Sequence, residues 1–403
     1  MNNIPEKSKK RFGNVFYVGL LSFFGGISQD MFVPILPLYL ANVLGFSKEF
    51  IGLSEGLLTA AASIFRFVAG WLSDKFGKQK PIVFVGYFLS MISRPLLAFV
   101  SGGAAIIGLR FTDGVGKGVK DSPKDVLIAD STEPGNRGKG FGIARMLDTF
   151  GSVVGPVLLF VFLYFFRNNL LKYHYILILC ALPLFVTLGI LIFKVKEVQS
   201  VKNIDGITHV EKGGLPKRFY VFLAVIALFT IGNSSDAFLI LRAQNVGVAL
   251  LAIPLVYALF NFVYASASVP LGSLSDRIGR EKVILLGWMA YAVAYVGFAV
   301  ATNSFQVWAI FAFYGLYYAT TEGVAKAFVA DMVDQSHRGR AYGIYNTTVG
   351  VLALPASVIA GFLWDKISPA APFYFGAIVS ALAAGLLFFL VMRRGKNIEV
   401  ELQ

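Results

Sequence analysis

A single cysteine, Cys180, stands in 403 residues, so the chain can form no internal disulfide and no cysteine-built metal site. Histidine is nearly as scarce. His174, His209 and His337 all fall at or beyond the ends of apolar runs, which argues against a histidine metal centre inside a membrane. Charged residues make up only 15% of the chain. No H-E-x-x-H, His-Asp or Ser-Lys arrangement and no Walker A loop occurs, so neither embedded hydrolysis nor ATP-driven pumping has its chemistry here. The expectation is a chain that is not an enzyme and carries no cofactor or metal.

What fills the chain is hydrocarbon. Hydrophobic residues reach 56%, mean hydropathy is +0.69, and uninterrupted apolar runs of about 20 residues recur, each long enough to span a bilayer. The net charge of +13 sits in loops and tails and reads as membrane topology, with no nucleic-acid partner. Lys7, Lys9, Lys10 and Arg11 precede the first run; Lys194, Lys196, Lys202, Lys212, Lys217 and Arg218 mark a central linker; Arg393, Arg394 and Lys396 follow the last run. Basic residues accumulate on the cytoplasmic side, so twelve spans with both termini inside satisfy this distribution. The first run, about Phe12 to Leu40, is too long for a signal-peptide core and lacks a small-residue cleavage site.

An eleven-residue stretch occurs twice. Gly70-Trp71-Leu72-Ser73-Asp74-Lys75-Phe76-Gly77-Lys78-Gln79-Lys80 returns as Gly272-Ser273-Leu274-Ser275-Asp276-Arg277-Ile278-Gly279-Arg280-Glu281-Lys282, both reading G-x-L-S-D-[KR]-x-G-[KR]-x-K. Each closes one apolar run and opens the next, so each is a short charged hairpin. Other landmarks repeat in the same order: Asp30 with Asp236 in G-x-S-x-D-x-F, Asp130 with Asp331 and Arg137 with Arg338, and Pro156 with Pro355. A duplicated six-helix unit with parallel halves follows. Its boundaries are residues 1–193, a linker at 194–218, and residues 219–403.

These features resemble the major facilitator superfamily over essentially the full length. The hairpins match the family's motif A between helices two and three and its counterpart between helices eight and nine. Arg110-x3-Gly114-x3-Gly118 looks like the R-x3-G motif of helix four, and Gly151-x3-Gly155-Pro156 is similar to the exporter-associated G-x3-G-P motif of helix five; Leu158 and Leu159 stand where that motif continues with glycine. Asp30, ahead of Pro34 and Pro37, resembles the acidic helix-one position of several exporters. The resemblance implies an all-α membrane protein: twelve transmembrane helices in two pseudo-symmetric six-helix bundles, rocking around a central cavity. It also gives the hairpin residues Gly70, Asp74, Lys75, Gly77, Lys78, Gly272, Asp276, Arg277, Gly279 and Arg280 a gating role, against the plainer reading of a topology-setting loop.

The intramembrane charges are the candidates for chemistry. A carboxylate in hydrocarbon costs a few kcal/mol, and protonation removes that cost, so Asp30 and Asp236 suit proton-coupled alternating access. The alternative is an interfacial residue beside a kink. Asp113 and Lys117 lie four apart on helix four and can neutralise each other; Glu322 and Lys326 reproduce the spacing on helix ten. Arg110 could hold an anionic substrate group or the charge of Asp30. Arg145 and Asp148 could bind substrate, or pair with helix four or the polar segment after it. Arg66 should snorkel to the cytoplasmic interface, and Arg94, next to Pro95, stays open. Tyr39, Tyr257, Tyr264 and Trp288 cannot be ranked.

The sequence thus points to a monomeric secondary transporter of the cytoplasmic membrane that exports a small solute against protons. Uptake of a polar or anionic metabolite is the alternative. A transport-dead sensor is the remaining class; the tails and linker are short for an appended signalling domain.

Overall fold

The computed structural model describes residues 6–132, 137–169, 171–197, 214–334 and 337–393, and among these the chain is helical with no strand. The basic cluster at Lys202 and Lys212 and the tail Arg394 and Lys396 lie outside the described residues. Each apolar run becomes one helix or one broken helix. The first is α1 (Glu6–Phe32) and α2 (Leu36–Asn42); α3 (Lys48–Phe76), α4 (Lys80–Leu96), α5 (Gly103–Asp130) and α6 (Arg137–Phe165) follow, and α7 (Lys172–Leu179) and α8 (Leu182–Phe193) share the sixth. The second half repeats the order with α9 (Lys217–Gly232) and α10 (Ala237–Asn245), then α11 (Ile253–Ile278), α12 (Arg280–Val300), α13 (Ser304–Asp331), α14 (Arg338–Lys366) and α15 (Ala371–Leu386). Among the described residues, ten spans are long and apolar enough to cross a membrane. Helices α5 and α13, at 28 residues each, have the length but carry the charges and tyrosines of the fourth and tenth spans.

The chain divides into two compact units. One takes in Met1–Leu44 and Leu57–Lys202, the other Gly45–Gly56 and Asn203–Gln403. In the first, Val15, Val18 and Leu21 of α1 pack with Val83 and Tyr87 of α4, Leu127 and Ile128 of α5, and Leu184, Leu188 and Leu191 of α8. In the second the core is aromatic: Phe229 stacks on Trp288 at 4.6 Å between ring centroids, and Tyr291 stacks on Tyr295 at 4.0 Å. The first turns of α3 group with this second unit, where the Glu49 N–H donates to Asp365 Oδ2 at 2.9 Å.

A proline ordinarily ends a helix, yet α5 runs on through the polar segment after the fourth run to Asp130 with Pro123 inside it. A helix-interior proline removes one N–H donor. Burial of Leu127 and Ile128 in the unit's core and an ion pair from Arg66 to Asp121 hold the continuation in place. Arg66 therefore does not snorkel freely, because its guanidinium is engaged by the next helix but one.

Both hairpins turn on glycine. Gly77 has φ +61° and Gly279 φ +99°, in the left-handed region where a Cβ is strained. Helix α11 ends at Ile278 and α12 begins at Arg280, so Gly279 is the entire connection.

Candidate functional site

The first span breaks at residues 33–35, where Pro34 brings no N–H and Pro37 opens α2. Asp30 lies one turn before the break. It is buried between α1 and α6, with the Ser152 hydroxyl as its hydrogen-bond partner. The close fit comes from glycines. A Cβ on Gly155 would lie 2.7 Å from the Ile27 carbonyl, and one on Gly151 would meet the Phe23 backbone. Small residues let membrane helices approach to backbone contact, and the G-x3-G-P stretch does this against α1. No basic side chain forms an ion pair with Asp30 among the described residues; Asp148, Lys117 and Arg94 supply the field around it.

Beside it lies a buried charge network centred on Arg94. Its Nε stands 3.2 Å from Asp113 Oδ1, its Nη1 donates to Ser28 Oγ at 2.7 Å, and its Nη2 donates to Gln29 Oε1 at 2.5 Å. Arg110 approaches Asp113 from the same helix at 3.6 Å. Both guanidiniums lie over the Phe32 ring, 5.4 and 5.5 Å from its centroid. Ser28 in turn donates to the Cys180 carbonyl at 2.6 Å, tying α1 to the break between α7 and α8. The expected Asp113–Lys117 pair is thus corrected: the carboxylate is met by Arg94 and Arg110, because α4 brings a longer, forked side chain against α5. Arg110, read as a holder of substrate or of Asp30, points into this network. Arg145 and Asp148 pair with each other at 3.6 Å on α6, partly exposed.

In the second unit the break falls elsewhere. Helix α9 stops at Gly232, and Asn233-Ser234-Ser235 leaves the helix before Asp236 starts α10. Asn and Ser compete for backbone hydrogen bonds and favour such breaks. Tyrosines occupy the freed groups. Tyr291 donates to the Gly232 carbonyl at 2.9 Å, Asn233 donates to Tyr317 Oη at 3.2 Å, and Ser234 shares a bond of 3.3 Å with Tyr295. Asp236 accepts from Tyr314 and Tyr318, one hydroxyl on each carboxylate oxygen, both at 3.0 Å. Asp30 and Asp236 are thus aligned in sequence but differently housed, one inside a helix and one after a break.

Further along α13, Glu322 accepts from Tyr264 of α11 and pairs with Lys326 at 3.6 Å, as the i,i+4 spacing predicts. At the hairpin end of the unit, Arg280 reaches Asp276 at 3.2 Å and also pairs with Asp331, while Arg218 pairs with Glu281 at 2.6 Å. These residues line a cleft of about 300 Å³. In the first hairpin the Lys75 ammonium lies 5.0 Å from the Trp71 ring centroid; the side chain of Asp74 is outside the described ones. Lys78 is exposed, Arg277 is exposed, and Gly70 packs near Ser122; a Cβ on Gly272 would meet open space.

Sequence reasoning missed Ser28, Gln29, Ser152 and the tyrosines. The tyrosines had a readable signal: Tyr314, Tyr318, Glu322 and Lys326 follow at four-residue steps along one helical face. The serines gave none, since their partners come from other helices.

The family model described as Major Facilitator Superfamily matches residues 18–241 and 219–402. The chain belongs to the major facilitator superfamily. An MFS-type transporter of Methanocaldococcus jannaschii is 36% identical over 391 residues, 96% of each chain. The proton-coupled antiporter flippase LtaA of Staphylococcus epidermidis is 25% identical over 382 residues, 89% of this chain and 92% of the relative. Among solved structures, a D-xylose–proton symporter superposes with a TM-score of 0.75 at 15% identity, covering 93% of this chain and 97% of that one. The nucleoside transporter NupG gives 0.73 at 15% identity, with 94% and 99% covered. At those identities the superpositions speak for the fold. This superfamily member is a multi-pass membrane transporter of twelve spans.

Proposed function

We propose that this transporter exports a small solute from the cytoplasm in exchange for protons, with Asp30 and Asp236 as the groups that take up and release them. The observation that carries the reading is Asp30 itself: a buried carboxylate at a glycine-built helix contact, hydrogen-bonded to a serine and with no ion-pair partner among the described residues. A carboxylate so placed is costly when charged and cheap when neutral, so its protonation state follows its access to water. The G-x3-G-P stretch and the LtaA relative, a proton-coupled antiporter, support antiport. The two halves, residues 1–193 and 219–403 joined by 194–218, alternate access in this scheme. The hairpins at Asp74 and Asp276 act as ionic latches, with both termini in the cytoplasm and a monomer in the cytoplasmic membrane.

The test uses everted membrane vesicles acidified inside by respiration, with acridine orange reporting the pH gradient. Organic cations, sugars, nucleosides and glycolipids are added in turn. Dequenching on addition of one class identifies proton antiport and its substrate, and Asp30→Asn, expressed at the same level, abolishes the signal. Dequenching that survives Asp30→Asn rejects the role given to that residue. Proton-linked accumulation in right-side-out vesicles instead would establish uptake.

A further inference from the structure

Asp236 and Glu322 are each met by a tyrosine hydroxyl, and the two tyrosine rings are in contact. Tyr318 donates to Asp236 at 3.0 Å and Tyr264 donates to Glu322, while the rings of Tyr318 and Tyr264 meet edge to face with centroids 5.6 Å apart. Tyr318 and Glu322 are also one turn apart on α13, so the four groups cluster across α11, α13 and the break before α10. We infer that Glu322 is the proton partner of Asp236, exchanging protons with it through Tyr318 and Tyr264 toward the hairpin end of the second unit. The inference rests on the reading of Asp236 as a coupling carboxylate.

The geometry favours this over a merely structural role in two respects. First, both carboxylates are met by tyrosine hydroxyls, which donate and accept at the same oxygen and so can pass a proton on without holding charge. Second, the path has a direction. From Tyr314 to Glu322 is eight residues, roughly 12 Å of helix at 1.5 Å per residue. Beyond Glu322 the helix continues to Asp331, which pairs with Arg280 of the hairpin. Tyr295 of α12 and Tyr314, Tyr317 and Tyr318 of α13 are among the described groups that face Asp236. Tyr264 of α11, Lys326 of α13 and Tyr345 of α14 are among those that face Glu322. The Lys326 ammonium stands 3.6 Å from the Glu322 carboxylate.

The step balances as a relay. Protonated Asp236 gives its proton to Tyr318 Oη as the Tyr318 hydroxyl hydrogen turns toward Tyr264, directly or through one water. Tyr264 passes its own hydrogen to the Glu322 carboxylate. One proton leaves Asp236 and one arrives at Glu322, and both tyrosines end neutral.

The test needs no substrate. Purified protein in lipid nanodiscs receives a proton pulse from a photolysed nitrobenzaldehyde, and time-resolved infrared spectroscopy follows the carbonyl stretch of newly protonated carboxyls. Asp236→Asn should remove one component of that band. Glu322→Gln and Tyr264→Phe should leave the Asp236 component at full final amplitude but slow its rise by about tenfold or more. Tyr264→Phe keeps the ring and removes the hydroxyl that donates to Glu322, so it decides the matter if Glu322→Gln does not fold; the amide band checks folding in each. An unchanged rise in Tyr264→Phe and in folded Glu322→Gln overturns the relay while leaving Asp236 as a coupling group. A band that survives intact in Asp236→Asn overturns the coupling reading of Asp236 itself.

Discussion

Arg94 on α4 and Asp113 on α5 form a buried ion pair, with 3.2 Å between Nε and Oδ1 and each side chain almost wholly shielded. Neither residue is close to the other in a helical register, so the pair reports the packing of two spans and not the sequence spacing within one. Ser28 and Gln29 complete the guanidinium's hydrogen bonds from α1, making Arg94 the point at which three helices of the first unit are tied together.

Asp113 is met by both guanidiniums, so it is the member whose loss costs most. Asp113→Asn takes the carboxylate away from Arg94 and Arg110 together and should destabilise the protein by roughly 3–5 kcal/mol, the cost of breaking a buried pair. Arg94→Met leaves Asp113 with Arg110 at 3.6 Å and should cost less. Cys180, the chain's one cysteine, is fully buried and reports unfolding to a thiol-reactive dye, so melting curves can be read with no cysteine introduced. Equal melting of Asp113→Asn and Arg94→Met would count against the network.

The α1–α6 contact depends on missing side chains. Gly155→Ala places a methyl 2.7 Å from the Ile27 carbonyl and 3.1 Å from the Met31 nitrogen, and overpacking of this kind costs about 1–3 kcal/mol. Gly385→Ala on α15, where a Cβ meets open space, should melt like the wild type. The same thiol-dye assay separates them.

The cradle of Asp236 should weaken in steps. Tyr314→Phe and Tyr318→Phe each remove one hydrogen bond, worth about 0.6 kcal/mol on average between membrane helices, and the double variant should lose more than either. If solute-driven acridine-orange dequenching is as fast in the double variant as in the wild type, the carboxylate does not depend on these tyrosines.

The second hairpin turns at a single residue whose backbone strongly favours glycine. Gly279→Ala forces a Cβ into φ +99° and should cost about 1–3 kcal/mol, the range for a strained backbone position, whereas Gly272→Ala in the same motif meets open space. Comparing the two melting temperatures, and trypsin cleavage after Arg277 and Arg280, checks the assignment.

The fold was legible because the membrane imposes coarse rules: each apolar run of sufficient length became a span, and both copies of the charged motif fell at a helix reversal. Where α5 would end was not legible, since Pro123 signals a break and the burial of Leu127 and Ile128 that overrides it comes from α1, α4 and α8. The same reason hid the partner of Asp113. Spacing within a helix exposes i,i+4 pairs such as Glu322–Lys326, but Arg94 arrives from a neighbouring span, and no pattern along the chain encodes that meeting. The two repeat aspartates show the limit from the other side. Their sequence alignment was visible, yet Asn233-Ser234-Ser235 opens the helix where Ile27-Ser28-Gln29 continues it.

Trp288 sits face to face with Phe229, one turn before the point at which α9 opens, and Tyr291 packs edge-on against that same ring. With only four tryptophans in the chain, this indole is an optical sensor built into the second unit beside the broken span. Any rearrangement of the break disturbs the stacked pair, so emission from a protein stripped of Trp71, Trp308 and Trp364 would follow the working cycle in real time, with no dye attached.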